Sequence, residues 1–202
     1  MSIWRGNQPL ILASQSRARQ ALLINAGLAF EAIPADIDER KIQHESGLLE
    51  PDKIALLLAR EKAIAVSSAH PAQMVIGADQ TLALGSQLFT KPAGRTQAAD
   101  QLRALAGKTH ELHSAIAVAR NGKTLFETVS VARMTMRQMT EAEIGAYLDA
   151  AGEAVTTSVG AYQLEGLGVH LFERIEGDHF TILGLPLLPL LAFLRSEKQL
   201  AL

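Results

Sequence analysis

"PLILASQSRARQALLINAG", Pro9 to Gly27, changes periodicity part-way along, and that change decides the fold. Pro9 to Ser14 is a short, fully apolar run of the kind that makes a buried strand. From Arg17 onward Ala18, Leu22 and Leu23 recur at helical spacing, and Gly27 supplies a stop. The stretch therefore reads as strand, loop, helix, and the alternation continues. "FEAIPAD", Phe30 to Asp36, alternates like a second strand. A polar loop is expected next, and then a long amphipathic helix opens at Pro51, with proline in its first turn. "MVIGADQTLAL", Met74 to Leu84, is apolar on both sides of Asp79, which is the pattern of a strand covered on both faces.

The second half has a different rhythm. Asn121-Gly122 stands between two alternating runs, "ELHSAIAVAR" and "KTLFETVSVARMTM", the strongest short-range signal for a hairpin. "TEAEIGAYLDAAG" offers a capping box from Thr140 to Glu143 and a glycine stop. The segment Gly168 to Pro186 reads as another hairpin through Glu176-Gly177-Asp178, followed by a buried helix in the apolar stretch Leu183 to Leu194. The expected fold class is α/β: a mixed, twisted sheet flanked by helices. It forms a single domain over residues 1–202, in one lobe or in two with a cleft.

Composition narrows the function. The 202 residues are 48% hydrophobic, enough for a core of ordinary size. Cysteine is absent, which excludes disulfides, a thiolate nucleophile and a Cys-based zinc site. The six histidines show no HExxH or comparable spacing. A net charge of −2 argues against a general nucleic-acid binder, so an anionic ligand must be met by a local cluster. The N-terminal stretch lacks the pattern of a secretion signal, and Leu183 to Leu194 is shorter than the ~20 apolar residues of a membrane span. A cytoplasmic protein without a membrane partner is the expectation.

Chemistry-bearing residues gather at strand ends. In open α/β sheets ligands sit beyond the carboxyl ends of strands, and a helix N-terminus favours phosphate. Ser14, Ser16, Arg17 and Arg19 lie at such a junction, as an anion cradle or as an N-cap with solvated arginines. The glycines of a P-loop are missing. Asp36, Asp38 and Glu39 follow the second strand, where one or two of them would suit a solvated turn. Asp79 is more informative, because a carboxylate in so apolar a run needs a cation beside it. Lys62 and Lys91 could neutralise phosphate oxygens or simply face solvent.

Eight pieces, "ILASQSRARQALL", "IPADIDE", "LAREKA", "VIGADQT", "FTKP", "LAGKTHE", "SVGAYQLEG" and "GDHFTILGLPL", occur in an order that resembles the Maf family of nucleotide pyrophosphatases over nearly the whole chain. The resemblance implies a fold similar to the inosine-triphosphate pyrophosphatases, dependence on Mg²⁺ or Mn²⁺, and hydrolysis of a nucleoside triphosphate to the monophosphate and pyrophosphate. It places catalytic roles on Asp79, Glu39, Lys62 and Lys91, with Glu39 and Asp79 as metal ligands. Ser14, Ser16 and Arg19 fall on the phosphate-side loop. Where the family often has S-P-R-R, this chain has Ser16-Arg17-Ala18-Arg19, so the proline and the first motif arginine are lost. Base specificity falls on Ala18, Gln80 and Glu165. Gln80 and Glu165 match the branch resembling 7-methyl-GTP pyrophosphatases, whereas Ala18 departs from it. The family also contains dTTP/UTP pyrophosphatases, and its name is linked to septum formation, which implies a nucleotide-binding regulator of cell division as the non-catalytic reading. A homodimer would suit the family.

Overall fold

The structure, a computed structural model, describes residues 3–202. Its elements in the first part of the chain are β1 (Leu10–Leu12), α1 (Arg17–Asn25), β2 (Phe30–Ala32), α2 (Glu39–Ser46), α3 (Pro51–Ala69), β3 (Val75–Leu84), β4 (Gln87–Phe89) and α4 (Arg95–Leu105). They continue with β5 (Thr109–Arg120), β6 (Lys123–Met136), α5 (Glu141–Ala151), β7 (Phe172–Glu176), α6 (His179–Ile182) and α7 (Leu187–Ser196). Short 3-10 turns fill the interval between α5 and β7. The strands form one seven-stranded mixed sheet in the order β2-β1-β3-β5-β6-β7, with β4 paired to β3. β1 lies parallel to both β2 and β3, whereas β3–β4 and β6–β7 are antiparallel.

The chain forms two compact units: the described part of Met1–Gln80 with Ser114–Ser130 and His179–Leu202, and Thr81–His113 with Val131–Asp178. In the first unit the central strands β1, β3 and β5 are covered on both faces, which is why their runs are largely apolar. Leu10 and Leu12 of β1, Ile76 and Ala78 of β3, and Ile116 and Val118 of β5 pack with Leu22 and Leu23 of α1 and Leu187, Leu190 and Leu194 of α7. The alternate residues face the other way. Ala115, Ala117 and Ala119 of β5 meet Ala55, Ala59 and Ala63 of α3, a small-on-small interface that brings the helix close to the sheet.

Gly77 carries that approach to its limit. A Cβ there would lie 2.0 Å from the Ala59 carbonyl oxygen and 2.6 Å from the Ala63 nitrogen, so no side chain fits between β3 and α3. A bidentate pair of Arg60 with Glu127, both contacts 2.7 Å, ties the same helix to β6.

The second unit holds the β3–β4 hairpin, α4, α5 and the β6–β7 pair. The Thr140–Glu143 capping box starts α5 as expected. His110 and Tyr162, both buried, form an aromatic cluster with the half-buried Phe172, in which His110 Nε2 and the Tyr162 hydroxyl are 2.7 Å apart. Burial lowers the His110 pKa to about 4.

Three expectations change. The polar loop after β2 is the helix α2: Asp38 caps it by accepting the Lys41 N–H at 3.0 Å, and Gly47 ends it in the left-handed region. None of its residues is buried, so it has no apolar stripe for sequence periodicity to reveal. β2 is shorter than Phe30 to Asp36, because Ile33 makes a final bond to the Leu12 carbonyl and Pro34 has no N–H to continue the ladder. The hairpin through Glu176-Gly177-Asp178 does not form. β7 takes β6 as its partner, with Met134 opposite Ile175. The chain beyond Gly177 coils into α6, closed by Leu183 N–H to the His179 carbonyl. The Asn121-Gly122 turn between β5 and β6 is as expected, both residues lying at positive φ.

Candidate active site

β3 and α3 set the centre. Strand alternation points Gly77 and Asp79 to the α3 side. Because the helix is pressed against Gly77, Lys62, one residue before Ala63, reaches Asp79: its Nζ lies 2.7 Å from Asp79 Oδ1. The same ammonium lies 2.9 Å from Glu39 Oε1, at the start of α2. One cation thus joins two carboxylates delivered by three elements. Asp79 and Lys62 are each only 8% exposed, whereas about half of the Glu39 side chain (49%) faces solvent.

Burial pushes the Asp79 carboxyl above its ordinary value. Lys62 and then Arg19 pull against that shift, and the charge of Glu39 adds a smaller push upward. A carboxylate raised in this way is a stronger base than one in water. Glu39 occupies the first turn of α2, where the helix N-terminus favours negative charge.

The β1–α1 junction is organised by its own polar groups. Ser16 caps α1, accepting the Arg19 N–H at 3.4 Å, and the Ser14 hydroxyl accepts from the Ser16 N–H at 3.2 Å. Arg19 is half-buried and donates from Nε to the Gly184 carbonyl at 2.8 Å. Its Nη1 donates to the Ala78 carbonyl at 2.7 Å and to Ser14 Oγ at 3.2 Å. Burial pushes this guanidinium below its usual value, opposed by Asp79 and Glu39. Arg17 is exposed and Ala18 half-buried on the first turn of α1.

Gln80 points away from Asp79, to the opposite face of β3. Its Nε2 lies 2.8 Å from Ser114 Oγ, 3.1 Å from the Ile182 carbonyl and 3.2 Å from the Thr181 carbonyl. Ser114, fully buried, passes its own hydrogen to the Thr181 carbonyl at 2.7 Å. Lys91 and Glu165 belong to the second unit, where both are exposed, Glu165 in the turn before a 3-10 segment. The structure therefore joins Asp79 and Glu39 through Lys62 and places Arg19, with Ser14 bonded to it, against the Ala78 carbonyl of β3. Sequence reasoning missed Ser114 and the carbonyls of Ala78, Thr181 and Gly184. A lone serine inside an alternating strand carries no motif, and backbone acceptors leave no trace in side-chain identity.

Residues 9–197 match the family model described as Maf-like protein. The chain belongs to the Maf family. A Bradyrhizobium diazoefficiens relative named nucleoside triphosphate pyrophosphatase is 75% identical over 201 residues, covering 100% of both chains. A Brucella abortus relative named 7-methyl-GTP pyrophosphatase is 53% identical over 192 residues, covering 94% of this chain and 96% of its own. The solved HAM1 protein of Coxiella burnetii aligns with 64% of this chain and 73% of its own at 18% identity and a TM-score of 0.42, too slight a likeness to carry an argument. The Maf match spans residues of both compact units.

Proposed function

We propose that this Maf-family chain is a nucleoside triphosphate pyrophosphatase whose substrate is a modified nucleotide, 7-methyl-GTP, cleaved to the monophosphate and pyrophosphate. The observation that carries the reading is the buried Asp79 carboxylate joined to Glu39 through Lys62. Asp79 holds and deprotonates the water that attacks the α-phosphorus, helped by the upward push of burial. Lys62 fixes the carboxylate and neutralises charge beside the phosphates. Arg19, already aimed by two backbone carbonyls, directs its remaining nitrogen Nη2 to a phosphate oxygen, and Ser14 lines the same loop.

The donor set suits a divalent cation. Asp79 and Glu39 offer hard oxygens beside a single ammonium, and among the described residues no group of three or more His, Asp or Glu converges, so substrate phosphates would complete the coordination. Asp79 and Glu39 are the residues that would hold Mg²⁺ or Mn²⁺, which supplies charge neutralisation on the phosphate oxygens.

Glu165 is assigned to the base: a carboxylate accepts both N1–H and the exocyclic amine of guanine. For Glu165 and Lys91 the support is the motif match, and for the base itself the named Brucella relative. No helix among the described residues is long and apolar enough to cross a membrane, in keeping with a cytoplasmic enzyme acting on a small molecule, and a homodimer is part of the same reading. The test is pyrophosphate release from 7-methyl-GTP, GTP, UTP and dTTP with Mg²⁺, Mn²⁺ or EDTA. Release from none of them in the presence of metal overturns the activity, and a preference for UTP or dTTP overturns the base assignment.

A further inference from the structure

The segment His179–Gly184 has an unusual number of tethers. The Thr181 carbonyl accepts from Ser114 Oγ and lies near the Gln80 amide, the Ile182 carbonyl accepts from the same amide, and the Gly184 carbonyl accepts from Arg19 Nε. The polarity is consistent along the chain: Ser114 gives its only hydrogen to Thr181, so its lone pairs face Gln80, which must present its NH₂ rather than its carbonyl oxygen. At the far end Gly184 adopts φ +85, and a Cβ there would lie 3.2 Å from Arg19 Nε and 3.4 Å from its Nη2, so the guanidinium is packed against bare backbone. The segment is the part through which Gln80 and Ser114, on β3 and β5, could set the direction of Arg19, on α1.

We infer that Gln80 and Ser114 are positioning residues that hold the His179–Gly184 segment so that the Gly184 carbonyl aims the Arg19 guanidinium at a substrate phosphate. Three observations support this. Gln80 projects from the face of β3 opposite the Lys62–Asp79 pair. Its nitrogen is surrounded by three protein acceptors, more than its two hydrogens can serve fully. Ser114 is fully buried and can act on a ligand only through other groups. The inference rests on the reading of Arg19 as a phosphate contact, so its test begins with a measurement that needs no substrate.

The first arm follows hydrogen exchange of the Arg19 Nε–H by NMR in wild type, Ser114→Ala and Gln80→Glu. Both variants should lose about tenfold protection, the size of one weakened hydrogen bond. Gln80→Glu sets a carboxylate oxygen against two carbonyls and should lose more. Unchanged protection in both overturns the link. The second arm is a double-mutant cycle on kcat/KM with Arg19→Lys, measured on 7-methyl-GTP, GTP, UTP and dTTP. Ser114→Ala should lower kcat/KM about tenfold for every nucleotide without altering their order, and should cost little more once Arg19 is lysine, since coupled residues are not additive. Additive losses, or a changed order among the bases in Ser114→Ala, overturn it. Should wild type turn over no nucleotide, the proposed activity fails while the exchange measurement still decides whether Gln80 and Ser114 direct Arg19.

Discussion

Replacing Gly77 by alanine tests the geometry that creates the site. The new Cβ would sit 2.0 Å from the Ala59 carbonyl oxygen, whereas ordinary contact begins at 3.4 Å, so α3 must withdraw from β3 by 1.4 Å. The obstacle is backbone on both sides, with no flexible side chain to yield, which places the cost near the top of the ~1–3 kcal/mol range for overpacking. For a chain of this size ~3 kcal/mol corresponds to a fall in Tm of roughly 6–12 °C. Lys62 moves with the helix, and its 2.7 Å bond to Asp79 stretches past hydrogen-bonding range. A displacement of about 1 Å near reacting groups costs on the order of 10²-fold in rate. Calorimetry and steady-state pyrophosphate release measure the two effects. Gly145→Ala is the control: nothing lies within 4 Å of its Cβ position on α5, so this change should be neutral or slightly stabilising. If Gly77→Ala melts within a degree or two of wild type and retains its kcat, the close approach of α3 is not what assembles Asp79 with Lys62.

Further perturbations follow from the same arrangement. Asp79→Asn should retain the fold, because Glu39 still neutralises Lys62, while kcat falls by roughly 10²-fold or more through loss of the base; near-normal turnover with Mg²⁺ refutes the role given to Asp79. Glu165→Gln should lower kcat/KM for 7-methyl-GTP more than for UTP, and an unchanged ratio removes Glu165 from the base site. Hydrolysis in ¹⁸O-labelled water should place the label in the monophosphate, since attack occurs at the α-phosphorus, and label in pyrophosphate points to another bond. His110 has a folded pKa of about 4, below the unfolded 6.5, so the unfolded state binds more protons between those values. Its contribution, on the order of 3 kcal/mol, is complete above pH 6.5 and is lost as pH falls toward 4, and urea midpoints at pH 4.5, 5.5 and 7.5 in wild type and His110→Phe should diverge accordingly.

Much of the fold was legible because burial on both faces leaves a simple signature. Leu10–Leu12 is apolar throughout and Val75–Leu84 is apolar on both sides of Asp79-Gln80-Thr81, and Asn121-Gly122 can hardly be anything but a tight turn. What escaped the sequence reading lacked such a signature. α2 has a single large apolar residue, Ile42, and no buried one, so only its caps Asp38 and Gly47 marked it, and each is equally at home in a loop. Glu176-Gly177-Asp178 looks like a hairpin turn from local chemistry, but whether a strand continues beyond it depends on which neighbour is already paired. β7 found its partner in β6, far away in sequence.

The site was legible in its charges and illegible in its directions. Asp79 stood out because an ionised group in an apolar strand requires a cation, and the structure supplies Lys62 from a helix whose register could not be known beforehand. Asp79 and Gln80 are adjacent letters of one motif, yet adjacency along a strand means opposite faces. Asp79 therefore meets α3, and Gln80 meets Ser114 and the carbonyls of α6. A family pattern that couples these two letters need not report one contact surface. Here it joins a residue suited to the chemistry with one that supports the backbone behind Arg19 from the opposite face of the sheet.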